Sequence, residues 1–191
     1  MKVLALFAVS AFATAAMAAQ PSTIALSGPS TQITNSNGSA VLNTSATASE
    51  ARQNIASNAG PVTVHQSGSS EQTANLNGAT VANESKTVGS MARQNLASNN
   101  GEVEIYAASH QTANANGAYV GNMADGAAAK ATQNIASNYG HVLVAAASNQ
   151  LANFNGGAVV NKANSLSVAV QNISSNDACA EDPCPGGNCA R

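Results

Sequence analysis

The sequence predicts an all-β protein: a stacked-layer β-solenoid, or cross-β repeat, of about four layers of ~39 residues, each made of two ~20-residue strand-turn-strand halves. Three observations predict it. Glutamine recurs in two series: Gln32, Gln72, Gln111 and Gln150 are 40, 39 and 39 residues apart, and Gln53, Gln94, Gln133 and Gln171 are 41, 39 and 38 apart. Asparagine and glycine stand at fixed distances after each glutamine. Asn37, Asn77, Asn116 and Asn155 lie five on from the first series, with Gly38, Gly78, Gly117 and Gly156 next, and Asn58, Asn99, Asn138 and Asn176 lie five on from the second. Short period-two alternations then follow the turns, as in Val62-Thr63-Val64, Val103-Glu104-Ile105 and Val142-Leu143-Val144.

The elements follow in order. Residues 1–19 carry Lys2, an apolar run and the small-residue end Ala16-Met17-Ala18, the pattern of a secretory signal peptide. A membrane anchor would need a longer apolar run. The expectation is an exported, secreted chain. Residues 20–31 are an N-terminal lead-in. Repeat 1 covers 32–71, repeat 2 covers 72–110, repeat 3 covers 111–149 and a partial repeat 4 covers 150–176. Within each, Asn-Gly and Asn-x-Gly supply the positive backbone angles of sharp turns. The Ala-rich segment Ala48–Ala56 also has a helical reading, but the turn residues after it favour strand. The tail, 177–191, holds Cys179, Cys184 and Cys189 among Pro and Gly. In an exported chain this odd count suggests one disulfide with a free or intermolecular thiol, and the alternative is a three-thiolate metal site.

Stacked layers explain why the amides repeat more faithfully than the apolar residues. Layers about 4.8 Å apart place each residue over its copy, so Gln and Asn form columns in which each amide donates to the next. A missing rung leaves a buried polar group unpaired, at about 1–3 kcal/mol. The apolar slot Ile55, Leu96, Ile135 and Ile173 exchanges Ile for Leu with modest repacking. Three variable slots read as solvent-facing: Thr44, Glu84, Met123 and Lys162; then Glu71, His110 and Asn149; then Pro61, Glu102 and His141.

Composition narrows function. Charged residues are 8%, net charge is −2 and Asn occurs 24 times, which suits a neutral, amide-rich assembly better than a nucleic-acid binder. His65, His110 and His141 share no repeat slot and read as surface residues. There is no recognisable nucleophile motif, carboxylate pair, phosphate loop or calcium repeat, so the expectation is no enzyme, no cofactor and no metal site within the repeats.

Residues 142–155, VLVAAASNQLANFN, resemble the repeat core of the Fap functional-amyloid fibre subunits, a V-x-V-A-A run followed by N-Q-x-x-N. Residues 103–116 and 62–77 resemble it more loosely, and the resemblance spans 32–176. It implies a layered subunit exported through an outer-membrane pore with a periplasmic chaperone. Such a subunit polymerises with itself and related subunits into extracellular biofilm fibres, as major component or nucleator. That family carries Cys-x-x-Cys, whereas this tail carries C-x4-C-x4-C. The ~20-residue half-repeat is also similar to that of curli subunits. However, the second Gln of a curli repeat is replaced here by Asn43, Asn83, Asn122 and Asn161, or by Val64, Ile105 and Val144. The expected function is a secreted, self-assembling structural subunit on the bacterial surface. The alternative is a monomeric β-solenoid adhesin or binding module.

Overall fold

The computed structural model describes residues 24–45 and 47–176, so the signal peptide and the three cysteines lie outside the described residues. The described chain is all-β. A lead strand, β1 (Ile24–Ala25), precedes four turns of a solenoid. The first turn holds β2 (Ser30–Asn37), β3 (Ala40–Ser45), β4 (Ala51–Ile55) and β5 (Val62–Thr63). The second holds β6 (Ser70–Asn77), β7 (Thr80–Ser85) and β8 (Ala92–Leu96). The third holds β9 (Ser109–Asn116), β10 (Tyr119–Met123) and β11 (Ala131–Ile135), and the fourth β12 (Asn149–Asn155), β13 (Ala158–Lys162) and β14 (Ala169–Ile173).

Equivalent strands pair in parallel and build three four-stranded sheets: β2-β6-β9-β12, β3-β7-β10-β13 and β4-β8-β11-β14. Registers match the sequence repeat residue for residue. Gln32 pairs with Gln72, Val41 with Val81, and Gln53 with Gln94. The Ala-rich segment is therefore strand over Ala51–Ile55, and β4 alternates inward and outward, with Ala51, Gln53 and Ile55 buried. The first halves turn at Gly38, Gly78, Gly117 and Gly156, whose φ values of 58, 56, 57 and 63° suit glycine. The turn also joins layers, because Gly38, Gly78 and Gly117 each donate their backbone N–H to the following layer's Asn carbonyl at 2.7 Å.

The second half differs from the expected strand-turn-strand. Among the described residues the fourth side holds only the short parallel pair of β1 and β5. Residues 103–105 and 142–144 are not strands. Glu104 and Ile105 take φ values of 68 and 72°, in the left-handed region, so that stretch runs no ladder. The alternation correctly marks which residues face inward, since Val62, Val64, Val103, Ile105 and Val144 form a buried cluster with Leu26 and Val142 against it. A period-two pattern reports burial, and a short side can bury its apolar residues without strand geometry. The corner before it also falls earlier than the sequence suggests. Ala56, Ala97 and Ala136 turn the chain directly after each strand, at φ 46, 46 and 49°, ahead of Asn58 and Gly60. Ala97 and Ala136 donate N–H back to Ile55 and Leu96 at 2.9 and 2.8 Å.

The main core lies between the three sheets, where Ile55, Leu96 and Ile135 meet Val81, Val120 and Leu76. A small all-alanine cluster, Ala92, Ala124, Ala129 and Ala131, fills the corner between the second and third sheets. On the fourth side, Gly68 has φ +68°, and a Cβ there would sit 2.1 Å from the Ala107 carbonyl oxygen. Gly68→Ala is expected to cost about 1–3 kcal/mol by chain displacement, read as a lower urea midpoint. Gly78→Ala meets nothing within 4 Å and loses only the left-handed preference, about 1–2 kcal/mol.

Candidate assembly site

The candidate site is the set of amide columns and the end layers where they stop. The second glutamine series forms an unbroken ladder. Gln94 Nε2 donates to Gln53 Oε1 at 2.7 Å, Gln133 to Gln94 at 2.6 Å and Gln171 to Gln133 at 2.6 Å. Gln94 and Gln133 are fully buried. In so dry a setting a satisfied amide chain rigidifies the core, and a broken one is costly.

The first glutamine series is only partly a ladder. Gln111 Nε2 donates to Gln72 Oε1 at 3.1 Å, but Gln72, Gln111 and Gln150 also turn across to Asn58, Asn99 and Asn138. Gln32 Oε1 and Gln111 Oε1 accept no hydrogen bond. Asn138 donates to Asn99 at 2.7 Å and Asn176 to Asn138, so the Asn58 column is laddered in its upper layers and cross-linked to the Gln32 column through Gln72, Gln111 and Gln150. Asn37, Asn77, Asn116 and Asn155 are exposed at the turns, and the main-chain carbonyls of Asn77, Asn116 and Asn155 join layers while that of Asn37 accepts from Ser39 Oγ in its own turn.

Three further ladders escape the sequence reading. Asn43, Asn83, Asn122 and Asn161 point inward and run at 2.8, 2.9 and 2.8 Å. Each also braces the adjoining sheet: Asn83 Nδ2 donates to the Ala51 and Arg93 carbonyls at 3.1 and 2.9 Å, and Asn122 Nδ2 to those of Ala92 and Thr132 at 3.2 and 2.9 Å. Asn54, Asn95, Asn134 and Asn172 form a second ladder at 2.7, 2.9 and 2.9 Å. Asn35, Asn75, Asn114 and Asn153 form a third, each step 2.8 Å, on the outer face of the first sheet. The signal is present in the chain, since Asn35 and its copies keep the spacing of the glutamines, 40, 39 and 39.

The variable slots stack as expected and are exposed or half-buried, as in Thr44–Glu84–Met123–Lys162. Glu84 takes Lys86 at 2.6 Å, and that hydrogen bond raises the ammonium pKa. His110 and His141 are exposed. His65 is half-buried, lies 2.7 Å from Glu104 in the next layer and packs on Tyr106 with ring centroids 4.0 Å apart. One column stacks like charges, Arg52 on Arg93, and the Arg52 guanidinium turns aside to Glu50. Among the described residues no cluster of His, Cys, Asp or Glu could hold a metal ion.

Among the described residues, β2, β3 and β4 at one end and β12, β13 and β14 at the other have a sheet neighbour on one side only. Inward residues of the last layer are consequently uncovered. Phe154 is 37% exposed, whereas its stacked equivalents Leu76 and Ala115 are 2%. Fold and columns together define a parallel β-solenoid braced by amide ladders, with edge strands at both ends of the described residues. The chain matches no protein-family model, no curated protein and no solved structure.

Proposed function

We propose that this chain is a secreted structural subunit that adds layer upon layer to further copies of itself. The product is an extracellular functional-amyloid fibre supporting biofilm and adhesion at the bacterial surface. What supports this most directly is that the Gln53 and Asn43 ladders run in register into both end layers, where the edge strands have no outer neighbour among the described residues. Proteins that remain monomeric blunt such edges with charge, proline or a covering element. Here charge is sparse, and the ladders offer an incoming layer its own pattern. The resemblance to Fap subunits supplies the remaining partners, an outer-membrane pore, a chaperone and related fibre subunits, with a role as major component or nucleator.

The mature chain is expected to form Thioflavin-positive fibres with a meridional reflection near 4.8 Å, the spacing between parallel strands. Fibres added as seeds should remove the lag. A purified chain that stays monomeric at high concentration for days, by size-exclusion, overturns the proposal and favours a monomeric adhesin.

A further inference from the structure

The fourth side of the solenoid is offset by one layer from the other three. The three sheets each hold a strand from turns one to four. The fourth side instead begins early, with Ile24–Leu26 beneath Val62–Val64, and its last described member is residues 142–144 in turn three. Among the described residues, a groove of about 410 Å³ lies above that member, lined by Val142, Leu143, Val144, Ala146, Ala147 and Asn176. Leu143 on its wall is 53% exposed.

We propose that this groove receives the Ile24–Leu26 segment of a second copy, so that subunits join head to tail and each completes the other's fourth side. The inference rests on the self-assembly reading and names its contact. The segment already makes the equivalent contact within its own chain: Ile24 and Leu26 donate N–H to the Pro61 and Thr63 carbonyls at 2.9 Å, and Leu26 packs on the Val62–Val144 cluster. Its apolar residues match the groove's columns, since Ile24 continues Val62, Val103 and Val142, and Leu26 continues Val64, Ile105 and Val144. The chain's own next repeat position, near 180–183, reads Ala-Glu-Asp-Pro and lacks that pattern.

Two further columns favour a second copy in this polarity. On the outer face, the slot Ile33, Thr73, Thr112, Leu151 is apolar only in the end layers, where Ile33 is 56% and Leu151 45% exposed. Head-to-tail docking sets Ile33 beside Leu151. In the core, Ser36, Leu76, Ala115 and Phe154 alternate small and large, and the same docking lays Ser36 over Phe154 and continues the alternation. The ladders agree as well. Gln171 Oε1 faces an incoming Gln53 amide, because that column donates from later layer to earlier.

The test is a disulfide that only docked copies can form. Ala25 pairs with Thr63, whose copy in the last member is Leu143, and Ala25 and Leu143 are both exposed. In one chain they are three layers apart, roughly 14 Å, too far to bridge. In docked copies they are neighbours at about 4.8 Å, within disulfide reach. The full mature chain carrying Ala25→Cys and Leu143→Cys, with Cys179, Cys184 and Cys189 changed to Ser, is assembled and oxidised mildly. The expected result is a covalent ladder of oligomers with the 25–143 peptide as the dominant crosslink, lost when either new cysteine is omitted. Fibres without that crosslink overturn the docking site while leaving self-assembly standing. No fibres from either this variant or its parent overturns both. A Leu143→Cys chain that retains its native cysteines gives the last outcome. An intrachain disulfide there between the new thiol and Cys179 shows the groove filled by the chain's own tail and also overturns the inference.

Discussion

Gln94→Met is expected to lower stability by about 2–6 kcal/mol, since it strands two buried amide groups at about 1–3 kcal/mol each. Gln94 lies mid-ladder, donating to Gln53 Oε1 and to the Gly121 carbonyl and accepting from Gln133. Methionine keeps nearly the same volume, so the change removes hydrogen bonds and opens little space. Gln53 Oε1 and the Gln133 amide then face a thioether in a site with no solvent access, since Gln94 and Gln133 are fully buried. The control lies two residues on in the same strand. Leu96→Ile repeats what Ile55 and Ile135 already do above and below it, and its expected cost is under about 1.5 kcal/mol. Urea unfolding of the freshly purified chain gives both values. A Gln94→Met midpoint no lower than that of Leu96→Ile would mean that the ladder contributes little and that apolar stacking alone holds the layers.

Asn83→Asp, a near-isosteric change, is expected to cost about 3–5 kcal/mol at pH 7. The Asn83 amide nitrogen donates to Asn122 Oδ1 and to the Ala51 and Arg93 carbonyls, so a carboxylate oxygen in its place meets only acceptors. Burial adds the penalty of an unpaired charge, because Asn83 has no exposed surface. Both effects raise the folded-state pKa of the new carboxyl above its unfolded value near 3.9. The sign follows from linkage. The folded state holds the proton more tightly, so the penalty is complete above the folded pKa and fades as pH falls toward the unfolded value. Asn83→Ala carries no titrating group and should show the same deficit relative to the parent at pH 7 and pH 4. Thermal melts of parent, Ala and Asp chains at both pH values decide it. Equal deficits for Ala and Asp at both pH values would remove the acceptor-crowding argument.

Much of this fold is legible because a solenoid writes its register into the chain. The 38–41-residue spacing of Gln53, Gln94, Gln133 and Gln171 equals the observed strand pairing. The same spacing test also picks out Asn35, Asn54 and Asn43 with their copies. In the sequence Asn43 stands out only as a departure from the curli pattern, although its column braces two sheets at once. The Gln32 series shows the limit of spacing, because equal positions do not dictate which acceptor an amide selects. Gln150 reaches Asn138, while Gln111 Oε1 is left unbonded. Local backbone is the least legible. Nothing in Val103-Glu104-Ile105 announces left-handed φ at its second and third residues, and Ala97 is a corner residue whose side chain does not ask for one. At the Ala97 corner the turned backbone donates to the Ile55 carbonyl of the layer beneath, a contact between layers that the local sequence does not show.

The count of segments per side has a consequence for display. The described residues supply four segments to each of four sides, counting Ile24–Leu26 as the fourth side's first, which makes a whole number of turns. Adding whole turns brings each new copy in facing the same way as the last, apart from the gradual sheet twist. In the proposed filament the outward row of Asn35, Asn75, Asn114 and Asn153 would extend from chain to chain as one continuous stripe of amides with a period of about 4.8 Å. A single chain offers four such groups, whereas a filament repeats them in register along its whole length. A contact too weak to matter once thereby gains from multivalency, with its strength set by filament length rather than by any change in sequence.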